Sequence, residues 1–267
     1  MKANILSLDG KKLKQIDLPG CFEEPIRKDL IKKAFESSVK RQPYGPYVRA
    51  GTEISASGKV AHARRKYRTA YGLGISRVPR KTLTVRGTRF YRVGAFMPGT
   101  RGGRAAHPPK VEKSWLVSIN KKEKIKAIRS AIAATANTED IIKKYETIKE
   151  VKESLPLIIE NKIYDIKKTK NLRDALEKAL SSLSSVAFKK KSIRAGRGKS
   201  RERKYKVTRG MLLITTKDIP ACKSLGIDIA NVSQLNIHEL APNGEPGRII
   251  IYAEDAIDKM KENPKLK

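Results

Sequence analysis

The sequence predicts an α/β fold: a mostly parallel sheet flanked by helices, with a long basic loop inserted between two of the helices. Three observations predict it. Compact apolar runs at Leu155–Glu160, Met211–Ile214 and Ile249–Tyr252 have the continuous character of strands buried on both faces. Amphipathic stripes at helical spacing separate them, the alternation that gives layered α/β domains. Between two such stripes, residues 41–110 lose apolar periodicity and gain charge.

In chain order, Ala3 to Leu8 reads as a strand closed by the turn dipeptide Asp9-Gly10, with Lys11 to Leu18 returning as a second strand. A helix is expected from Pro25, a residue suited to the first helical position, with Ile26, Leu30, Ile31, Ala34, Phe35 and Val39 on one face. Order resumes near Trp115. Asn120 and Glu123 have capping-box spacing ahead of Ile125, Ile128, Ala131, Ile132 and Thr135. A short helix follows from Thr138 to about Tyr145. Thr169 is expected to cap a helix carrying Leu172, Ala175, Leu176, Ala179, Leu180 and Leu183, and Ala256 to Met260 form a terminal helix. The 267 residues suit one domain in which 42–113 is an inserted extended loop and 187–210 a second basic segment.

The charge lies in those two segments. Residues 41–110 hold 12 Arg, 4 Lys and one acid, and 187–210 hold 11 basic residues and one acid, so together they supply +25 of the net +32. Concentrated positive charge points to a polyanion, and the preference for arginine in the loop points to phosphate and base recognition. Tyr44, Tyr47, Tyr67, Tyr71, Phe90, Tyr91 and Phe96 are threaded among those arginines, as surfaces for unstacked bases. With 12 Val, Ile, Leu, Phe or Met positions in 70 residues, the loop is expected to order only against its partner. Expected RNA-binding residues are Arg49, Lys59, His62, Arg64, Arg65, Lys66, Tyr67, Arg68, Tyr71, Arg77, Arg80, Arg86, Arg89, Arg92, Arg101, Arg104 and His107 in the loop. In the second segment they are Lys189, Lys190, Arg194, Arg197, Lys199, Arg201, Arg203 and Lys204.

Catalytic chemistry finds no footing. Arg197-Gly198-Lys199-Ser200 imitates the end of a P-loop but has Ile193 where its first glycine belongs, and Gly72-Leu73-Gly74 is a dinucleotide fragment with Arg77 in place of the third glycine. His62, His107 and His238 form no metal or triad pattern, and Cys21 and Cys222 lack ligand spacing, so no cofactor and no metal are expected. No apolar run reaches membrane-spanning length and the N-terminus lacks the features of a leader, so no membrane partner is expected.

At the basic segments the sequence resembles the large-subunit ribosomal protein four family in its archaeal and eukaryotic form. The resemblance is carried by Gln42-Pro43-Tyr44, Gly102-Gly103-Arg104-Ala105-Ala106-His107-Pro108-Pro109-Lys110, Ser130-Ala131-Ile132-Ala133-Ala134-Thr135, the stretch Arg197-Gly198-Lys199 to Arg209-Gly210, and Gly247-Arg248-Ile249-Ile250-Ile251-Tyr252. It implies a Rossmann-like body on the outside of the large subunit, bound to large-subunit ribosomal RNA and supporting assembly in the cytoplasm. Its loop would help line the nascent-peptide exit tunnel, opposite a loop of another ribosomal protein and in transient contact with the nascent peptide. By position the tunnel-lining tip is Arg64, Arg65, Lys66, Tyr67, Arg68 and Tyr71; the tip is richer in tyrosine and poorer in glycine than the family pattern. Ending at Lys267, without the basic tail of eukaryotic members, the chain looks archaeal. The alternatives are a non-ribosomal RNA- or DNA-binding regulatory protein, which salt would strip from large subunits, and a nucleotide enzyme.

Overall fold

The computed structural model describes residues 1–39, 60–107, 112–145, 147–151, 153–264 and 266. The chain divides into two compact units, Met1–Val39 with Leu116–Lys267, and Lys40–Trp115. Elements follow in the order β1 (Lys2–Leu6), β2 (Lys12–Asp17), α1 (Lys28–Ser38), then β3 (Arg80–Arg86) and β4 (Arg89–Gly94) in the second unit. The first unit continues with α2 (Lys121–Ala133), α3 (Thr138–Lys144), β5 (Leu157–Ile159), α4 (Thr169–Leu180), α5 (Ser184–Ala187), β6 (Lys191–Ile193) and β7 (Tyr205–Val207). It closes with β8 (Leu212–Thr215), α6 (Pro220–Ser224), β9 (Asp228–Asn231), α7 (Ile237–Leu240), β10 (Ile250–Ala253) and α8 (Glu254–Glu262).

The sheet has the order β2-β1-β5-β10-β8-β9. Every neighbouring pair is parallel except β1 with β2, the hairpin turned by Asp9-Gly10. Period-2 alternation sends successive side chains to opposite faces, and helices cover both. Ile5, Ile158, Leu212, Ile214, Ile250 and Tyr252 pack with α1, α2, α7 and α8, while Leu157, Ile159, Leu213 and Ile251 pack with α4 and α6. This is the mostly parallel α/β sheet that the apolar runs predicted. Tyr252 is fully buried, edge-on to Phe22 at 5.4 Å, and its hydroxyl lies 3.0 Å from Thr135 Oγ1. Thr135 in turn donates to Ile132 O, so Tyr252 is the donor of that pair.

Local details correct several expectations. Helix α1 starts at Lys28, not Pro25, because Ser130 Oγ donates to Pro25 O and accepts from Arg27 N, holding that segment extended. Asn120 and Glu123 form no capping box: the Asn120 side chain makes no cap hydrogen bond, and Glu123 pairs with Lys33 Nζ at 2.9 Å across to α1. Thr169 is the first helical residue of α4, and Lys168 takes the cap position without a side-chain bond. Residues 41–110 are not irregular throughout, since β3 and β4 pair as a hairpin around Gly87-Thr88. The missed signal was the alternation of Leu83 and Val85 ahead of a two-residue turn containing glycine. No helix among the described residues is long and apolar enough to cross a membrane.

Candidate nucleic-acid interface

In the inserted unit, residues 60–75 fold into a tight bend. Ala61 bridges to Thr69, Ala61 N donates to Arg68 O at 3.0 Å, and Thr69 N donates to Lys66 O at 3.1 Å. Arg65 and Arg68 hold left-handed backbone, φ 58° and 66°, which arginine adopts only at a cost of order 1 kcal/mol or more. The bend exposes His62, Arg64, Arg65, Lys66 and Tyr67. Tyr67 meets Phe90 of β4 edge-on at 5.3 Å, and the guanidiniums of Arg92 and Arg68 stand 5.1 and 5.3 Å from its centroid. Arg77 lies 4.3 Å over Tyr71. The rings expected to receive bases therefore first collect arginines, by cation–π attraction.

Between this bend and the β3–β4 hairpin lies a groove of about 590 Å³, lined in part by Lys66, Tyr67, Arg68, Arg80, Phe90 and Arg92. The Nε atoms of Arg80, Arg92 and Arg104 are shielded from solvent and have no hydrogen-bond partner among the described residues. Other donors of the same groups are used: Arg80 Nη2 bonds Ser76 Oγ at 2.8 Å, and Arg104 Nη1 bonds Ala105 O at 3.3 Å. A sheltered N–H lacking an acceptor is costly, and each of these guanidiniums carries further N–H donors besides Nε. Arg77, Arg86, Arg89, Arg101 and His107 are exposed. Gly103 is required by the chain itself, since a Cβ there would lie 2.0 Å from Met97 O. Arg49 and Lys59 lie outside the described residues, as does most of the start of the expected loop.

In the first unit, the basic segment 187–210 forms a second hairpin, β6–β7. Its pairs are Lys191↔Val207, Ser192↔Lys206 and Ile193↔Tyr205. Lys191 Nζ stands 4.0 Å from the Tyr205 centroid. Exposed Lys190, Arg194, Arg197, Lys199, Arg201, Arg203 and Lys204 run along it, with Arg197, Lys199 and Arg201 in the turn. The P-loop fragment is thus a hairpin turn, closed by Arg203 N donating to Gly198 O at 2.9 Å. Lys189 is different, because its ammonium bonds Asp228 Oδ1 at 2.6 Å.

Sequence reasoning missed the group at the hairpin's root. Arg248 has 0% exposure, and donates to Asp228 Oδ2 at 2.6 Å, Glu239 O at 2.7 Å, Gly210 O at 2.9 Å, Met211 O at 3.0 Å and Arg209 O at 3.3 Å. Burial pushes its pKa down, while the Asp228 carboxylate pulls it back up. Burial likewise pushes Asp228 up, but the bonds from Lys189 and Arg248 outweigh it and hold that carboxyl below the usual range. Only the buried position of an arginine in Gly247-Arg248-Ile249 could have marked it, and sequence does not show burial of a charge.

At the carboxyl ends of the parallel strands, where α/β sheets take nucleotides, the residues following β5, β8 and β10 bond to one another. Tyr164 OH donates to Asp255 Oδ1 at 2.7 Å, Thr216 Oγ1 donates to Asp255 Oδ2, and Asn231 Nδ2 donates to Thr216 O at 3.1 Å. Cys21 and Cys222 are buried, and burial pushes both thiols up to about 12, so neither is a ready nucleophile. The His238 ring packs tilted against Phe35, with centroids 4.6 Å apart and planes at 55°. Among the described residues no three His, Cys, Asp or Glu side chains gather as a metal set.

The model of the Ribosomal protein L4/L1 family matches residues 16–263. A protein of Methanocaldococcus jannaschii named large ribosomal subunit protein uL4 is 40% identical over 273 residues, covering 98% of this chain and 99% of its own length. Relatives of the same name from Archaeoglobus fulgidus and Thermoplasma volcanium are 37% and 39% identical, each covering 98% of this chain and 99% and 98% of their own. A match running through the sheet, the insert and the β6–β7 hairpin together shows that this chain belongs to the ribosomal protein L4/L1 family.

Proposed function

We propose that this chain is a structural constituent of the large ribosomal subunit, not an enzyme, working in the cytoplasm as part of the ribosome. It binds large-subunit ribosomal RNA, supports subunit assembly and packs beside other ribosomal proteins. The α/β body is the mount, and the insert 42–113 and the segment 187–210 are its RNA-binding arms. The bend at Arg64–Tyr71 is the part that lines the nascent-peptide exit tunnel, facing a loop of a neighbouring ribosomal protein and touching the nascent peptide in passing.

The observation that carries this reading is the sheltered, unpartnered Nε–H of Arg80, Arg92 and Arg104, three donors on an arm with almost no acid of its own. RNA phosphates are charged acceptors, and an arm with so many arginines and one acid in residues 41–110 meets few within its own sequence. The test is a triple variant, Arg80→Ala, Arg92→Ala and Arg104→Ala, titrated against a large-subunit ribosomal RNA transcript across a salt series. Each phosphate contact removed should lower the slope of log affinity on log salt by about 1. Equal affinity and equal slope would overturn the assignment.

A further inference from the structure

The β6–β7 hairpin is rooted on one carboxylate. Asp228, the first residue of β9, accepts from Lys189 Nζ through Oδ1 and from Arg248 Nη2 through Oδ2, each at 2.6 Å, with Arg209 Nε 3.4 Å from Oδ2. Lys189 and Arg209 lie on the two stems by which the hairpin leaves the body. Arg248, buried just before β10, also donates to the carbonyls of Arg209, Gly210 and Met211 on the second stem. The stems are further joined by Met211 N to Ala187 O at 2.7 Å and by Lys190 N to Thr208 Oγ1 at 2.8 Å. Gly210 holds φ +68°, and a Cβ there would stand 2.9 Å from Ala187 O, so the crossing is as close as glycine allows. Beyond this root the strands are three residues each and exposed, and a two-stranded ribbon of that size is marginal on its own in water. The direction of the arm is therefore set at its base.

We propose that Asp228 and Lys189 are positioning residues for RNA binding. They hold the β6–β7 ribbon in one orientation, so that Arg197, Lys199 and Arg201 reach phosphates without first having to be ordered. The inference rests on the RNA-binding reading of 187–210 given above. It moves Lys189 from the phosphate contacts, where the sequence put it, to the root, because its ammonium is already committed to Asp228.

Charge and positioning predict opposite signs. Asp228→Asn makes the protein more positive, so electrostatics alone predicts equal or tighter RNA binding. Positioning predicts weaker binding, by about tenfold, because the ordering of the freed arm must then be met on binding. Lys189→Gln leaves the buried Arg248–Asp228 pair intact, so the body folds even if Asp228→Asn does not. It should weaken binding while leaving the salt slope unchanged, since the lysine touches no phosphate, whereas each of Arg197→Ala and Lys199→Ala should lower that slope by about 1.

The experiment titrates the full chain and these variants against a large-subunit ribosomal RNA transcript across a salt series, and follows amide hydrogen exchange of residues 191–207 in the free protein. The expected result is faster exchange in 191–207 together with weaker binding at unchanged slope for Lys189→Gln, and for Asp228→Asn wherever it folds. If Arg197→Ala/Lys199→Ala weakens binding but Lys189→Gln lowers the slope by a full unit, or leaves both exchange and affinity unchanged, the positioning role is overturned alone. If Arg197→Ala/Lys199→Ala binds like the parent protein, the RNA reading of the hairpin fails, and the proposal fails with it.

Discussion

Replacing Arg248 with methionine should strongly destabilise the body. The guanidinium is fully buried and is the hydrogen-bond partner of one carboxylate and four backbone carbonyls. Methionine keeps much of the length and fills the space, so the loss is one of pairing rather than volume. Asp228 keeps Lys189 and Arg209, which tempers its cost, but the carbonyls of Gly210 and Met211 lose a buried donor and that of Glu239 a half-buried one. Removing one partner of a buried pair typically costs about 3–5 kcal/mol. With a urea slope of roughly 2 kcal/mol per molar, the unfolding midpoint should fall by about 2 M at unchanged slope. Arg248→Lys should fall between the parent and Arg248→Met, because an ammonium has three donors in place of five. Urea titration by far-ultraviolet circular dichroism measures all three. A midpoint for Arg248→Met within about 0.5 M of the parent protein would refute the claim that this group ties β8, β9 and β10 together.

Four further outcomes are expected. Lys144 Nζ bonds Glu245 O at 2.5 Å, and burial pushes its pKa down to about 8, partly offset by Glu245. Since the unfolded lysine keeps its proton to about 10.5, the unfolded state binds more protons between those values. Stability should therefore rise with pH from about 8 to about 10.5, by at most about 1.4 kcal/mol per unit, and stay flat with respect to this group below 8. Lys144→Met should abolish the rise, and an unchanged pH profile in that variant would refute the assignment. Gly247→Ala should destabilise the body by more than about 1 kcal/mol in thermal melts, because φ is +89° and the new Cβ would stand 2.3 Å from Asp140 O; a neutral result would sink that packing. Ile158→Ala, at the centre of the sheet, should cost about 2–5 kcal/mol in chemical denaturation, and a smaller loss would mean that the core relaxes around it. A photo-crosslinker at Arg65 in purified ribosomes should capture nascent peptide, while capture of RNA alone would move the tip of the insert away from the tunnel.

The sequence by itself determined the layers of this protein and where its charge lies. Runs such as Leu157-Ile158-Ile159 and Ile250-Ile251-Tyr252 are apolar at every position because helices cover both faces, so composition alone identifies them as central strands. The two basic segments were equally plain, since an excess of arginine over acid survives any folding. What was not legible follows from weak local signals overridden by tertiary partners. Glu123 leaves its cap for Lys33, and Ser130 delays α1 to Lys28, because each finds its partner about 90 or more residues away in sequence. The short β9 and α7 carry too few residues for periodicity to mark them, and are held by packing against β8 and α2. At the interface, sequence could name cations but not separate those with free donors from those already bonded. Only the tertiary structure assigned Lys189 and Arg248 to Asp228, left Arg80 and Arg92 with sheltered donors, and placed Tyr67 under arginines. The reason is physical: charge and apolarity are properties of a residue, whereas burial and pairing belong to the neighbours that the fold brings to it.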